Sequence, residues 1–244
     1  MKKSLVTYFA ILVILSLNAC SKDNSPDPVD NKAELDKLYQ AAVTDAITAD
    51  SSEICDTLWA INSDNPKLEW KIINNQKYVL AGNFNQYPSS YSDTLVKNSW
   101  GEIWIFIPAQ FKNRMTSAPI PDADTLLRMR QMLGLPRQNS NNYIVELWVK
   151  PADLYRPAAD PQIDDNTAGL YLKVNTDPDY IKWFNQNIYN SYLGIGTHYP
   201  WTRLGYTFDW ANPASEVGMS EYCIKTNSTL YVKKLNLATN YLKN

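Results

Sequence analysis

Beyond Asp30 the chain carries no proline- or glycine-rich linker and no internal repeat. With no break at which a second core could separate, residues 31–244 read as a single domain whose elements share one body. Three stretches repeat apolar residues at helical spacing. The first follows an Asn31/Glu34 capping box and carries Leu35, Leu38, Tyr39, Ala42, Val43, Ala46 and Ile47, ending near Asp50–Ser52. The second starts behind Asp122 or Asp124, carries Leu126, Met129 and Leu133, and stops at Gly134-Leu135-Pro136. The third follows Asp177-Pro178 with Ile181, Phe184, Ile188 and Tyr192, and ends at Gly194. Short helices are expected after Pro108 and near Leu237–Leu242.

Strand texture fills the intervals. Leu68–Ile72 and Lys77–Leu80 read as a hairpin across Asn74-Asn75, and Glu221–Lys225 and Thr229–Lys233 as another across Thr226–Ser228. Glu102–Ile107, an apolar run bounded by Gly101 and Pro108, reads as a buried central strand. Tyr143–Val149 is a further strand stopped by Pro151, and Gly169–Val174 is a shorter one. Hairpins mixed with helical connections predict an α+β fold with a mixed or antiparallel sheet and several packed helices.

The N-terminus has a different character. Lys2 and Lys3 precede an almost wholly apolar run, Leu5–Leu17, and Leu17-Asn18-Ala19-Cys20 closes it. Charge, apolar stretch and small residue in that order make a secretory signal over residues 1–19. The run is shorter than the ~20 residues that span a bilayer as a helix. Leu-Asn-Ala-Cys resembles the lipobox of bacterial lipoproteins, in which the cysteine is acylated and becomes the new N-terminus. The flank Ser-Lys-Asp-Asn-Ser-Pro-Asp-Pro-Val-Asp resembles the acidic export signal of Bacteroidota surface lipoproteins. The resemblance implies lipid attachment at Cys20 and anchoring to the outer membrane, on its surface or its periplasmic face. Residues 20–30 read as the lipidated cysteine and a polar, proline-containing tether. Asp-Thr-Leu recurs at Asp56, Asp93 and Asp124, which resembles the O-glycosylation motif of Bacteroidota secreted proteins; Thr94, in a polar loop, is its candidate acceptor.

A formal net charge of −2, with no basic cluster, excludes a nucleic-acid footprint. With Cys20 acylated, Cys55 and Cys223 remain, and outside the cytoplasm they either pair as one disulfide or stand as two small buried residues. Two cysteines, one histidine and scattered acids make no zinc pattern, and nothing calls for a cofactor.

Chemistry concentrates at Gly194–Trp210, which holds the only histidine and five aromatic rings. One reading makes it a glycan or small-ligand site, with Trp201, Tyr206 and Trp210 stacking and Arg203, Asp209 and His198 supplying directional bonds. The other, commoner arrangement is a long loop pinned by its own aromatics, with Arg203 and Asp209 paired and His198 hydrogen-bonded. No nucleophile motif partners His198. Acids at Asp160, Asp164, Asp165, Asp209, Glu216 and Glu221 are candidates for paired-carboxylate hydrolysis. The Asp160–Asp165 loop lacks the spacing of a calcium-binding loop. The expectation is a lipid-anchored, non-catalytic domain that binds a glycan or an envelope protein. The alternatives are an extracytoplasmic hydrolase working through Asp or Glu, and a structural subunit of an envelope complex.

Overall fold

The computed structural model describes residues 28–117 and 124–243, so Cys20, its flank as far as Asp27, and Asp122 lie outside the described residues. The fold is α+β. It opens with helix α1 (Pro28–Asp45), which starts three residues ahead of Asn31, so Pro28–Asp30 belong to the helix rather than to a tether. Tyr39, Ala42, Val43 and Ala46 are buried, while Leu38 and Ile47 stay exposed, so the packed stripe is narrower than its sequence pattern.

A five-stranded antiparallel sheet forms the centre, ordered β1 (Trp70–Ile73), β2 (Gln76–Asn85), β5 (Tyr143–Val149), β10 (Thr229–Leu237) and β3 (Leu95–Lys97). The β1–β2 hairpin turns on Asn74 and Asn75, both at positive φ (49° and 59°), the geometry a two-residue turn needs to match strand twist. A smaller antiparallel sheet is ordered β4 (Ile103–Ile105), β9 (Tyr222–Ile224) and β6 (Leu154–Tyr155). The Ile103–Ile105 strand is therefore buried but lies at an edge, not at the centre. It continues into Phe106, which bridges to Gly82 beyond the end of β1 and joins the two sheets. A Cβ at Gly82 would fall 2.4 Å from the Phe106 ring, so this joint requires glycine. A third pair, β7 (Tyr206–Phe208) with β8 (Val217–Ser220), arises inside the aromatic stretch.

Strand alternation sorts the core. Val79, Ala81, Val145, Leu147 and Val149 face Ile103, Ile105, Leu154, Tyr222 and Ile224 of the smaller sheet. On the opposite face, Phe84 and Ile144 are covered by α2 (Pro108–Ser117), α3 (Thr125–Met132) and α5 (Ala238–Tyr241) through Phe111, Met115, Met129, Met132 and Tyr241. Asp124 caps α3 by accepting from the Leu126 N–H. Gly134 (φ 67°) ends the helix as Leu135 N–H bonds Arg130 O and Gly134 N–H bonds Gln131 O. Helix α4 (Pro178–Tyr192) is capped by Asp177 and lies over the far face of the smaller sheet.

Two strand expectations fail. Gly169–Val174 forms no strand, and Tyr171 and Val174 are exposed. Strands β9 and β10 do not form a hairpin, because they belong to different sheets. Asn98 diverts the chain between them. Its backbone accepts from Asn227 N–H and donates to Ser228 O, and its side-chain amide donates to Gly101 O and Lys225 O.

Candidate functional site

Four of the six residues that sequence marks as a ligand site are interior, while Ile195 and Tyr199 at the start of the stretch are exposed and His198 and Arg203 half-buried. Trp201, Tyr206, Asp209 and Trp210 are all 5 % exposed or less, which leaves no ring face for a ligand to stack on. Their polar atoms are spent internally. Trp201 Nε1 donates to Pro157 O at 3.0 Å, Trp210 Nε1 to Leu135 O at 3.0 Å, and Tyr206 Oη to Glu53 O at 2.9 Å. Arg203 and Asp209 do not pair. Asp209 forms a bidentate ion pair with the buried Arg128 of α3, both N···O distances 2.6 Å. Arg203 instead donates to the Ala46 and Ile47 carbonyls at the C-terminus of α1, the end where the helix dipole favours a cation. His198 contacts Gly194 O through Nε2 at 2.8 Å and accepts from Tyr39 through its own carbonyl. Trp201, Tyr206, Asp209 and Trp210 thus pack the interior, and Arg203 and His198 tie the stretch to α1.

Of the two alternatives for Cys55 and Cys223, the structure holds both as free thiols, Cys223 buried and Cys55 half-buried. Cys223 sits in the middle strand of the smaller sheet between Trp104 and Tyr155, where burial pushes its thiol up, whereas Cys55 touches Thr57 at the edge of another cluster.

Of the candidate acids, Asp165 is tied to the fully buried Arg156 at 2.5 Å, and Asp164 is exposed, its backbone carbonyl accepting from Asn62. Glu216 accepts from Tyr206 and gathers with Glu53 and Asp45, their oxygens within 4.8 Å; burial first, then these neighbours, pushes its carboxyl up. Glu221 has an Oε2 without solvent access or a hydrogen-bond partner among the described residues, and burial pushes its carboxyl up to about 8. Asp160 lines an open cavity.

That cavity is a cleft of about 690 Å³ where α4 crosses the smaller sheet. Pairing of Cys223 with both Trp104 and Tyr155 sets these three residues in one row on the face turned toward α4. From α4, Trp183 lies 5.1 Å from the Tyr155 ring, edge to face, and 5.3 Å from Tyr180. The Tyr180 hydroxyl is held between the Arg156 and Ala158 carbonyls at 2.9 and 2.7 Å, and burial pushes its phenol up. Leu154 and Tyr155 line the floor, and Tyr180 and Trp183 form an aromatic wall.

Charge surrounds the rings. Glu102 accepts from Trp183 Nε1 at 3.3 Å and lines the cleft. Asp160 pairs with Lys173 at 2.6 Å, and the same ammonium donates to Gln162. Asp179 and Lys225 complete the rim. Rigid aromatic faces with hydroxyl-accepting carboxylates and ammonium donors suit a neutral polyhydroxy ligand: C–H faces stack on the rings and hydroxyls bond the rim.

Sequence reasoning named only Asp160 among these. The available signal was Tyr180 and Trp183 at i, i+3 on the first turns of α4, with Asp177 and Asp179 at the same helix start.

Compared with known proteins, the chain matches no family model, no curated protein and no solved structure.

Proposed function

We propose that this protein is a lipid-anchored, extracytoplasmic domain that binds glycans in the cleft between α4 and the smaller sheet. The observation that carries the reading is the aromatic wall of Tyr180 and Trp183 over the Tyr155 floor, rimmed by Glu102, Asp160 and Lys173. The likeness of Leu17–Cys20 to a lipobox supports anchoring at the outer membrane, and no described helix is long and apolar enough to cross a membrane. Thr94, which is exposed, is the proposed O-glycan acceptor.

The test uses the full chain in detergent micelles, titrated by calorimetry with a panel of neutral host and dietary oligosaccharides. Saturable binding to a member of the panel, lost in Trp183→Ala and weakened at least fivefold in Glu102→Gln, supports the reading. No binding by a folded protein, or binding unchanged in both variants, overturns it. Release of reducing ends that stops in Glu102→Gln would replace it with glycan hydrolysis at the same cleft.

A further inference from the structure

A second cleft, of about 340 Å³, shares no residue with the first and lies where the cover of α2 and α5 ends on the open face of the five-stranded sheet. Four lysines line it, Lys67, Lys112, Lys233 and Lys234, against two acids, Glu69 and Glu146. The geometry points to a binding site for a phosphate monoester, with the anion held by Lys67, Lys112 and Lys234.

The sheet is bent to make this possible. In a regular strand Lys233 and Lys234 would point to opposite faces. Lys233 is instead the extra residue of a bulge between the pairs Val232↔Leu147 and Lys234↔Glu146, and both lysines line the same cavity. Lys233 then serves the floor. It lies 3.3 Å from the buried Glu146 and 3.1 Å from Glu69, with its ammonium 5.3 Å from the Trp148 ring centroid. Glu146 accepts at its other oxygen from the Tyr241 hydroxyl at 2.7 Å. Both acids are thereby bonded within the protein, and the other three lysines have no acid partner among the described residues. Two of those three are steered by rings rather than left free. Lys112 sits 4.8 Å from the Tyr241 centroid and Lys67 4.9 Å from that of Trp59. The N-terminal turn of α2, with Pro108 and Ala109 lining the cleft and no acid in that turn, adds a favourable dipole. Leu80, Ile107 and Tyr241 give the cavity apolar walls, and its volume lies in the range of small-molecule pockets, so it has room for a phosphate and the compact body that carries it.

The experiment titrates the full chain in detergent micelles with glucose 6-phosphate, with glucose as the neutral control. A parallel arm uses phosphatidylcholine vesicles with and without phosphatidic acid. Saturable binding of glucose 6-phosphate but not glucose, weakened at least tenfold in the Lys112→Gln/Lys234→Gln double variant and unchanged in Lys225→Gln of the first cleft, supports a soluble phosphate monoester. Binding only to the phosphatidic-acid vesicles, with the same dependence on the double variant, assigns the anion to a lipid headgroup. Absence of both, or binding indifferent to the double variant, overturns the proposal.

Discussion

Asp209, which is buried, and Glu221, which is half-buried with one shielded oxygen, differ in what their carboxylates meet. Asp209 meets a bidentate guanidinium and stays in an ion pair. Glu221 has an oxygen with neither solvent nor donor, so its charge is expelled and its carboxyl is raised from 4.5 to about 8. The sign for stability follows. Between those values the folded protein holds a proton that the unfolded chain has released. Stability is therefore fullest below about 4.5 and falls as pH rises toward about 8, by up to ~1.4 kcal/mol per pH unit from this group. Glu221→Gln keeps the shape without the proton equilibrium. Urea unfolding at pH 5 and pH 7.5 should show a smaller loss of stability with pH in the variant than in wild type. Equal slopes would mean that Glu221 is ionised in the fold.

At the scale of elements, helix α3 shows what the 206–210 segment does. Arg128 reaches Asp209, Thr207 Oγ1 donates to Met132 O, and Trp210 Nε1 donates to Leu135 O, so three polar links dock the helix and its cap onto β7 and the residues after it. Removing one partner of a buried pair strands the other charge, which costs about 3–5 kcal/mol, whereas replacing both by apolar residues is often neutral. Asp209→Ala should lose stability in that range by urea unfolding, and Arg128→Met/Asp209→Leu should recover most of it. A double variant as unstable as the single one would show that packing, not the stranded charge, sets the cost. The same segment marks the limit of reading elements from sequence. Helix α4, strand β5 and the Asn74-Asn75 hairpin were legible because caps, turn residues and periodicity agree locally. Strands β9 and β10 are also locally strand-like, yet their separation depends on Asn98, far away in sequence. The proposed binding cleft was illegible for a related reason. Glu102, Tyr155, Asp160 and Trp183 come from separate segments, and no local pattern announces that β6, β9 and α4 will bring them together. In the aromatic stretch the residue types suited either a ligand or a core, and only burial decides between them.

For the whole molecule, the consequential joint is the one that splits β9 from β10. It links the smaller sheet, which carries the first cleft, to the large sheet, whose β10 carries the bulge of the second. Asn98 is fully buried at this joint, and its amide nitrogen ties Gly101, beside Glu102, to Lys225 across the chain, while its amide oxygen is left without a partner. Glu102 and Lys225 are both rim groups of the first cleft, and the Asn98 amide adds a tie beside the Ile103↔Ile224 pairing that brings them together. Asn98→Ala deletes two hydrogen bonds and also the orphaned oxygen, so the net loss should be modest, about 1–2 kcal/mol. The effect on binding should be larger in proportion, because the rim loses one of the ties that hold Gly101 and Lys225 while the aromatic wall on α4 stays in place. The variant should stay folded by circular dichroism and lose several-fold in affinity for any oligosaccharide that wild type binds. Its affinity for glucose 6-phosphate should hold, since no lysine of the second cleft touches Asn98. Equal losses at both clefts would show that the joint supports the fold as a whole rather than the placement of one rim.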